Sequence, residues 1–207
     1  MPRLAGAVLT GGSSTRMGRD KTLIPLDGSV LAAHAVDALR AAGIREVRCI
    51  GGDGAGLTAA GLGWAPDRWP GEGPLGGILS AFDALAGPVA ESANVVVVLA
   101  GDLAAPSPDA ILAVVDALGP GDDLAVAVLD DRPQWLHAAW RPDRAAPTLR
   151  AAFEAGERSI HRATASLALR LVEGIDVSAL SDIDTPEDLT GLRGSSSPTA
   201  GPAGEVP

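Results

Sequence analysis

Apolar positions in this chain fall into short blocks that switch between two spacings. Leu4–Leu9 and Asn94–Ala100 are nearly continuous apolar runs, the second carrying Val95-Val96-Val97-Val98-Leu99. Runs of that length, bounded by glycine, predict strands buried on both faces in the middle of a parallel sheet. Val47–Ile50, Leu124–Leu129, Trp135–Trp140 and Leu169–Val172 read as further strands. Between them the spacing turns helical. Over Val30–Ala42, Leu31, Ala35 and Leu39 share one face, with Ser29 as the expected cap and Gly43 as the stop. A second helix is predicted from Ile78 to about Leu85. A third starts at Ser107-Pro108, with Ile111, Val114, Val115 and Leu118 on one face. Ala145–Ala155 and Ile160–Ala165 read as helices, and Thr185-Pro186-Glu187-Asp188 opens a last short one. Strands alternating with helices predict a three-layer α/β fold with a mostly parallel central sheet. One domain is expected over residues 1–193. Residues 194–207, rich in Ser, Pro, Gly and Ala, read as a disordered tail.

Composition narrows the picture. The 207 residues suit one domain with a full core, and 46% hydrophobic residues against 3% aromatic ones predict a core of Leu, Val, Ile and Ala. The net charge of −10 argues against a general nucleic-acid surface. One cysteine, Cys49, cannot form an internal disulfide, and on a predicted strand it reads as core rather than nucleophile. No secretory signal is read at the N-terminus and no apolar run is long enough to span a membrane, so a cytoplasmic location with no membrane contact is expected. His34, His137 and His161 lack metal-ligand spacing.

The chemistry-bearing loop leaves the first strand: Leu9-Thr10-Gly11-Gly12-Ser13-Ser14-Thr15-Arg16-Met17-Gly18-Arg19-Asp20-Lys21. Ligands in open α/β sheets bind beyond the carboxyl ends of strands. Gly11 and Gly12 let backbone approach a ligand and can offer N–H groups to phosphate oxygens, while Arg16 and Lys21 add positive charge. A merely flexible surface loop has no need of that pairing of glycines with cations. Lys21 is the chain's only lysine among 16 basic residues. A compact ammonium is not interchangeable with a guanidinium fork. The loop is not a Walker A motif, because no Gly-Lys-Ser or Gly-Lys-Thr closes it. Asp102 follows the most apolar strand directly and is suited to Mg²⁺, which takes one or two carboxylates plus phosphate oxygens; a turn or capping aspartate is the alternative. Two segments fit dinucleotide-binding glycine patterns, Gly71–Gly76 and Gly54–Ala59. The first follows Pro70 rather than a strand. The second follows a strand but shows no clear helix, so neither supports dinucleotide binding.

These motifs together resemble a known family. The run from Leu9 to Lys21 is similar to the L-x-G-G-x-S-x-R-M-G-x-D-K signature of nucleotidyltransferases related to molybdenum cofactor guanylyltransferase. Pro66-Asp67-Arg68-Trp69-Pro70-Gly71-Glu72-Gly73-Pro74-Leu75-Gly76-Gly77-Ile78 resembles that family's P-D-x-x-P-G-x-G-P-L-G-G-I segment. Leu99–Leu103 resembles its strand-end metal site. Arg132–Arg141 and Gly156–Ile160 resemble its acceptor side, and Asp184–Leu189 its closing N-T-P-E-D-L. The resemblance covers about residues 4–192 and implies a Rossmann-like nucleotidyltransferase fold, with a nucleotide half to about residue 105 and an acceptor half from 106 to 193.

The resemblance implies catalytic roles for Lys21, Arg16 and Asp102. It implies a nucleotide site of Leu9, Thr10, Gly11, Gly12, Lys21, Asp53, Asp67 and Asp102, with Mg²⁺ on Asp102 and Asp184 as a second candidate ligand. The implied reaction joins GMP from GTP to molybdenum-molybdopterin and releases pyrophosphate. The expected partners are GTP and a molybdopterin-type acceptor, with transient contact to proteins that deliver or accept the cofactor, and the oligomeric state is left open. Asp53 and Asp184 stand where the guanylyltransferases usually carry Asn, which leaves open a relative that uses CTP or another phosphorylated acceptor. A nucleotide-binding regulatory module without chemistry is the alternative of a different class, and the retention of both Lys21 and Asp102 counts against it.

Overall fold

The computed structural model describes residues 3–12, 20–87 and 93–183. Among them the order is β1 (Leu4–Leu9), a 3₁₀ turn (Lys21–Leu23), β2 (Pro25–Leu26), β3 (Ser29–Val30), α1 (Leu31–Ala41), β4 (Glu46–Ile50) and α2 (Gly54–Ala59). There follow β5 (Trp64–Ala65), α3 (Pro74–Ala84), β6 (Val95–Ala100), α4 (Pro108–Ala117), β7 (Leu124–Leu129) and β8 (Arg132–Trp140). The last elements are α5 (Pro142–Glu154), α6 (Ile160–Ala163), β9 (Leu169–Val172) and α7 (Val177–Leu180).

One seven-stranded sheet runs β5-β4-β1-β6-β8-β7-β9. Four of its six neighbouring pairings are parallel, and β8 is antiparallel to both β6 and β7. The central β1 and β6 are paired from Leu4↔Val95 to Leu9↔Ala100. Alternating side chains feed two cores, which explains why both strands read as unbroken apolar runs. Val8, Val97 and Leu99 pack with α1 and α4 on one face. Ala7, Leu9, Val96 and Val98 pack with α3 and α5 on the other. Three layers result. Cys49 is fully buried in the first core, and burial pushes its thiol up to about 11, which leaves it un-ionised.

Several expectations shift. Ser29 does not cap α1: it pairs with Leu26 in a two-residue ribbon closed at Asp27-Gly28, and Val30 precedes the helix without a side-chain cap. α3 begins at Pro74 rather than Ile78, because Pro74 occupies the first turn, where its missing N–H costs nothing. Gly54–Ala59 is a helix after all, since the Asp53 carboxylate accepts from the Ala55 and Gly56 N–H groups at 3.1 Å each. β8 starts at Arg132, entered from a two-residue turn in which Asp130 and Asp131 both have φ near +50 to +60°. α5 begins at Pro142 and α6 ends at Ala163. α7 has no counterpart in the sequence reading. The expected final helix at Thr185 and the tail from residue 194 lie outside the described residues.

Candidate active site

β1, β4 and β6 end side by side, and their exits frame a cavity of about 340 Å³, within the range of small-ligand sites. Of the residues expected there, Leu9, Thr10, Gly11, Gly12, Lys21, Asp67 and Asp102 line it. Asp53 does not line this cavity; its carboxylate is the cap of α2. Arg16 and Asp184 lie outside the described residues.

Lys21 arrives on the 3₁₀ turn, and the residue before it builds that turn. One Asp20 oxygen accepts from the Thr22 N–H (3.0 Å) and the Thr22 hydroxyl (2.6 Å). The other accepts from the Asp53 N–H at 2.9 Å. Asp20 therefore ties the end of the glycine loop to the loop after β4, and fixes where the Lys21 stem starts. The Lys21 side chain is only 10% exposed, and its Nζ donates to Asp102 Oδ2 at 2.9 Å. Asp102 follows β6, and its side chain is 30% exposed at the cavity wall. The bland reading of Asp102 as a turn aspartate does not account for this contact with the lysine 81 positions away. Gly101 makes the approach feasible: its N–H donates to the Leu9 carbonyl at 3.0 Å, and a Cβ there would stand 2.8 Å from that same oxygen.

Backbone groups of the loop are partly committed. The N–H groups of Thr10 and Gly11 both donate to the Ile50 carbonyl, at 3.0 and 3.1 Å. The Thr10 hydroxyl donates to the Ile50 and Gly51 carbonyls. The Gly11 N–H is thus spent inside the fold rather than turned toward a ligand. Gly52, at φ +70°, lets the neighbouring turn pass this close, since a Cβ there would meet the Thr10 carbonyl at 2.7 Å. On the opposite wall, Asp67 Oδ1 accepts from the Trp69 N–H (3.0 Å) and the Ser80 hydroxyl (2.7 Å). That clamp holds the carboxylate in one orientation against α3.

Sequence reasoning overlooked part of the lining. Gly71, Gly73, Pro74 and Gly77 contribute through the turn into α3, and Leu136 comes from β8. The glycines sit in the segment that carries the family resemblance, which was the available signal. Leu136 had none. A second cavity of about 220 Å³ adjoins the first, and Pro74, Ala100 and Leu136 line both.

The family model of the MobA-like NTP transferase domain matches residues 6–170. The chain belongs to this family. Among MobA-like relatives, a probable molybdenum cofactor guanylyltransferase from Opitutus terrae is 39% identical over 95 residues, 46% of this chain and 47% of that protein. The chain spans about half the length of the curated relatives it matches. The fold is shared more widely. The molybdopterin-guanine dinucleotide biosynthesis protein A of Archaeoglobus fulgidus superposes with a TM-score of 0.73 at 21% identity, covering 92% of this chain and 97% of that one. A Mycobacterium tuberculosis protein solved as a manganese complex superposes with a TM-score of 0.64 at 20% identity, covering 93% and 99%. The MobA-like domain therefore has the expected three-layer nucleotidyltransferase architecture. No helix among its described residues is long and apolar enough to cross a membrane.

Proposed function

We propose that the chain is a nucleotidyltransferase that moves GMP from GTP to molybdenum-molybdopterin, releasing pyrophosphate and forming the guanine dinucleotide cofactor. The observation that carries this reading is the Lys21–Asp102 pair at the rim of the first cavity, with Lys21 Nζ 2.9 Å from Asp102 Oδ2.

Among the described residues, Lys21, Asp67 and Asp102 are the charged groups that line the cavity, one cation against two carboxylates. A bare triphosphate would meet net negative charge there, so a divalent cation suits the site. Asp102 offers a hard oxygen donor, partly exposed, and no group of three or more His, Cys, Asp or Glu among the described residues forms an all-protein cage. That donor set fits Mg²⁺ carried in with phosphate oxygens and held by Asp102, with Asp184 as a second candidate. Bound there, Mg²⁺ would neutralise phosphate charge and polarise the phosphoryl oxygens.

The protein's own part is positioning and charge. A phosphate oxygen of the acceptor forms a bond to the α-phosphorus of GTP as the bond to pyrophosphate breaks in line. Lys21 exchanges Asp102 for the phosphates and stabilises the charge that develops on pyrophosphate, with Arg16 assigned to the same task. Asp67, held by Ser80 and the Trp69 N–H, belongs to the nucleotide wall. Leu9, Thr10, Gly11 and Gly12 form the stretch of cavity wall against the nucleotide. Asp53 acts there through the loop it holds with Asp20.

The test is pyrophosphate release from each of the four NTPs, with and without molybdopterin, by wild type, Lys21→Ala and Asp102→Ala. Release with GTP and molybdopterin together is expected, reduced roughly 10²-fold or more in each variant while thermal unfolding shows the fold intact. Wild-type turnover in Asp102→Ala would sink the metal assignment. Release from CTP alone would remove GTP, and release from no NTP with any acceptor, despite tight nucleotide binding, would favour a regulatory module.

A further inference from the structure

Ser80 sits in the middle of α3, is 1% exposed, and lines neither of the two cavities. A serine inside a helix ordinarily bonds back to the carbonyl four residues earlier or faces water. Among the described residues Ser80 does neither. Its Oγ accepts from the Arg68 N–H at 2.9 Å and donates to Asp67 Oδ1 at 2.7 Å. The protons have one arrangement: the amide gives to Oγ, and Oγ gives its own proton to a carboxylate that only accepts.

That bond is one of two rungs joining the loop after β5 to α3. Ser80 and Asp83 are three residues apart and share a helix face. Asp83 takes the Arg68 guanidinium at 2.8 Å, with Arg150 of α5 on its other oxygen at 2.8 Å. The Asp83 rung is partly exposed and pairs with arginine side chains alone. The Ser80 rung is buried and reaches the Asp67 carboxylate. Oδ1 carries both of that carboxylate's donors, from Ser80 and from the Trp69 N–H, and among the described residues Oδ2 has none.

Asp67 lines the first cavity away from the phosphate end. β5, which delivers Asp67, and β6, which delivers Asp102, are three places apart in the sheet, roughly 14 Å at ~4.8 Å per step. Phosphate oxygens repel a carboxylate and have no proton to offer it. The nucleoside part carries N–H and O–H donors, which a fixed carboxylate oxygen accepts well.

We propose that Ser80 is a positioning residue of the nucleotide site: its hydroxyl occupies Asp67 Oδ1 and so holds Oδ2 for the N–H or O–H donors of the nucleoside. This rests on the transfer reaction proposed above and names the buried group that fixes one wall of its nucleotide site. The gain is preorganisation, since a carboxylate already held in place loses less freedom when the ligand arrives.

The measurements are calorimetric titration with GTP and Mg²⁺, and steady-state GMP transfer to molybdopterin. Ser80→Ala is expected to weaken GTP about tenfold and raise its KM in step, with kcat and the KM for molybdopterin little changed. Its unfolding temperature should fall, because the Arg68 N–H loses a buried partner, so affinities are compared where every variant is folded. In an Asp67→Ala background, Ser80→Ala should cost no further affinity. Asp83→Asn loosens the outer rung without touching the carboxylate, and should leave GTP affinity within about twofold of wild type. Unchanged GTP affinity in Ser80→Ala overturns the inference. So does an equal cost of Ser80→Ala with and without the Asp67 carboxylate. A loss in Asp83→Asn as large as in Ser80→Ala overturns it too, since the hydroxyl would then act only by tying down the loop. Wild-type binding of GTP without transfer removes the reaction and keeps the role of Ser80; transfer with GTP affinity untouched in Ser80→Ala does the reverse. A wild type that binds no nucleotide overturns both.

Discussion

Asp53 carries two tasks within a few ångströms. Its carboxylate caps α2, and its N–H donates to Asp20 Oδ2 at 2.9 Å, the bond that ties the Lys21 turn to the loop after β4. Both are local backbone jobs, and an asparagine does the first as well as an aspartate. Asp53→Asn is therefore expected to leave stability and nucleotide affinity within about threefold of wild type, whereas Asp53→Ala should cost about 1 kcal/mol in urea unfolding. Calorimetric nucleotide titration of the Asn variant decides the matter: a loss of an order of magnitude would mean that the carboxylate itself faces the nucleotide. From the sequence alone Asp53 looked like a site residue because of its place in the family pattern. A cap becomes visible only once α2 is known to start at Gly54. Asp20 belongs to the loop motif, and its task shows only in the fold, which joins it to Thr22 and Asp53.

At the scale of elements, the exit of β6 is where packing and chemistry compete for space. Gly101 lies between β1 and the Lys21 turn, and an added Cβ would meet the Leu9 carbonyl at 2.8 Å and the Thr10 and Thr22 Cγ2 atoms at 3.1 Å. Backbone cannot yield as a flexible side chain does. Gly101→Ala should therefore destabilise by about 1–3 kcal/mol, the range for overpacking. It should also lower turnover more than nucleotide binding, because the shift displaces Asp102 from Lys21. Paired urea melts and steady-state kinetics check both halves; an alanine that leaves the melt unchanged would mean that β1 and β6 can separate freely at this end. The strands themselves were legible, because β1, β6 and β7 are buried on both faces and their apolar runs leave no other reading. Boundaries were less so. The start of α3 hid behind glycines and Pro74, and α2 hid in a glycine-rich stretch that only its cap makes helical. The bulge in β8 left no trace in the alternation of Trp135, Leu136 and His137, since it is set by how β7 and β6 pair on either side.

The whole molecule owes the junction of its two cavities to one reversed strand. Because β8 runs antiparallel to β6, its first half, Gln134–His137, reaches the same edge as the carboxyl ends of β1 and β6. The arrangement places a buried histidine, His137, in the middle of the sheet, and its burial couples the stability of the entire fold to pH. The folded-state pKa of His137 is lowered to about 4 from an ordinary value near 6.5. Between those values the unfolded chain binds a proton that the folded one refuses, so stability rises with pH across that window. The contribution is fully present above about pH 6.5 and is lost as pH falls toward about 4. Carboxylates held low by arginine, such as Glu157 at about 2 beside Arg162, also lose stability in acid, but that loss begins only as pH falls to their ordinary value near 4.5 and runs down toward about 2. The two effects separate by pH. Urea midpoints measured from pH 8 to 4.5 should fall through the upper window in wild type and stay nearly flat there in His137→Leu, both proteins falling together below it. Parallel curves for the two proteins between pH 6.5 and 4.5 would show that the ring finds a partner or water when protonated, and that the fold does not exclude its charge.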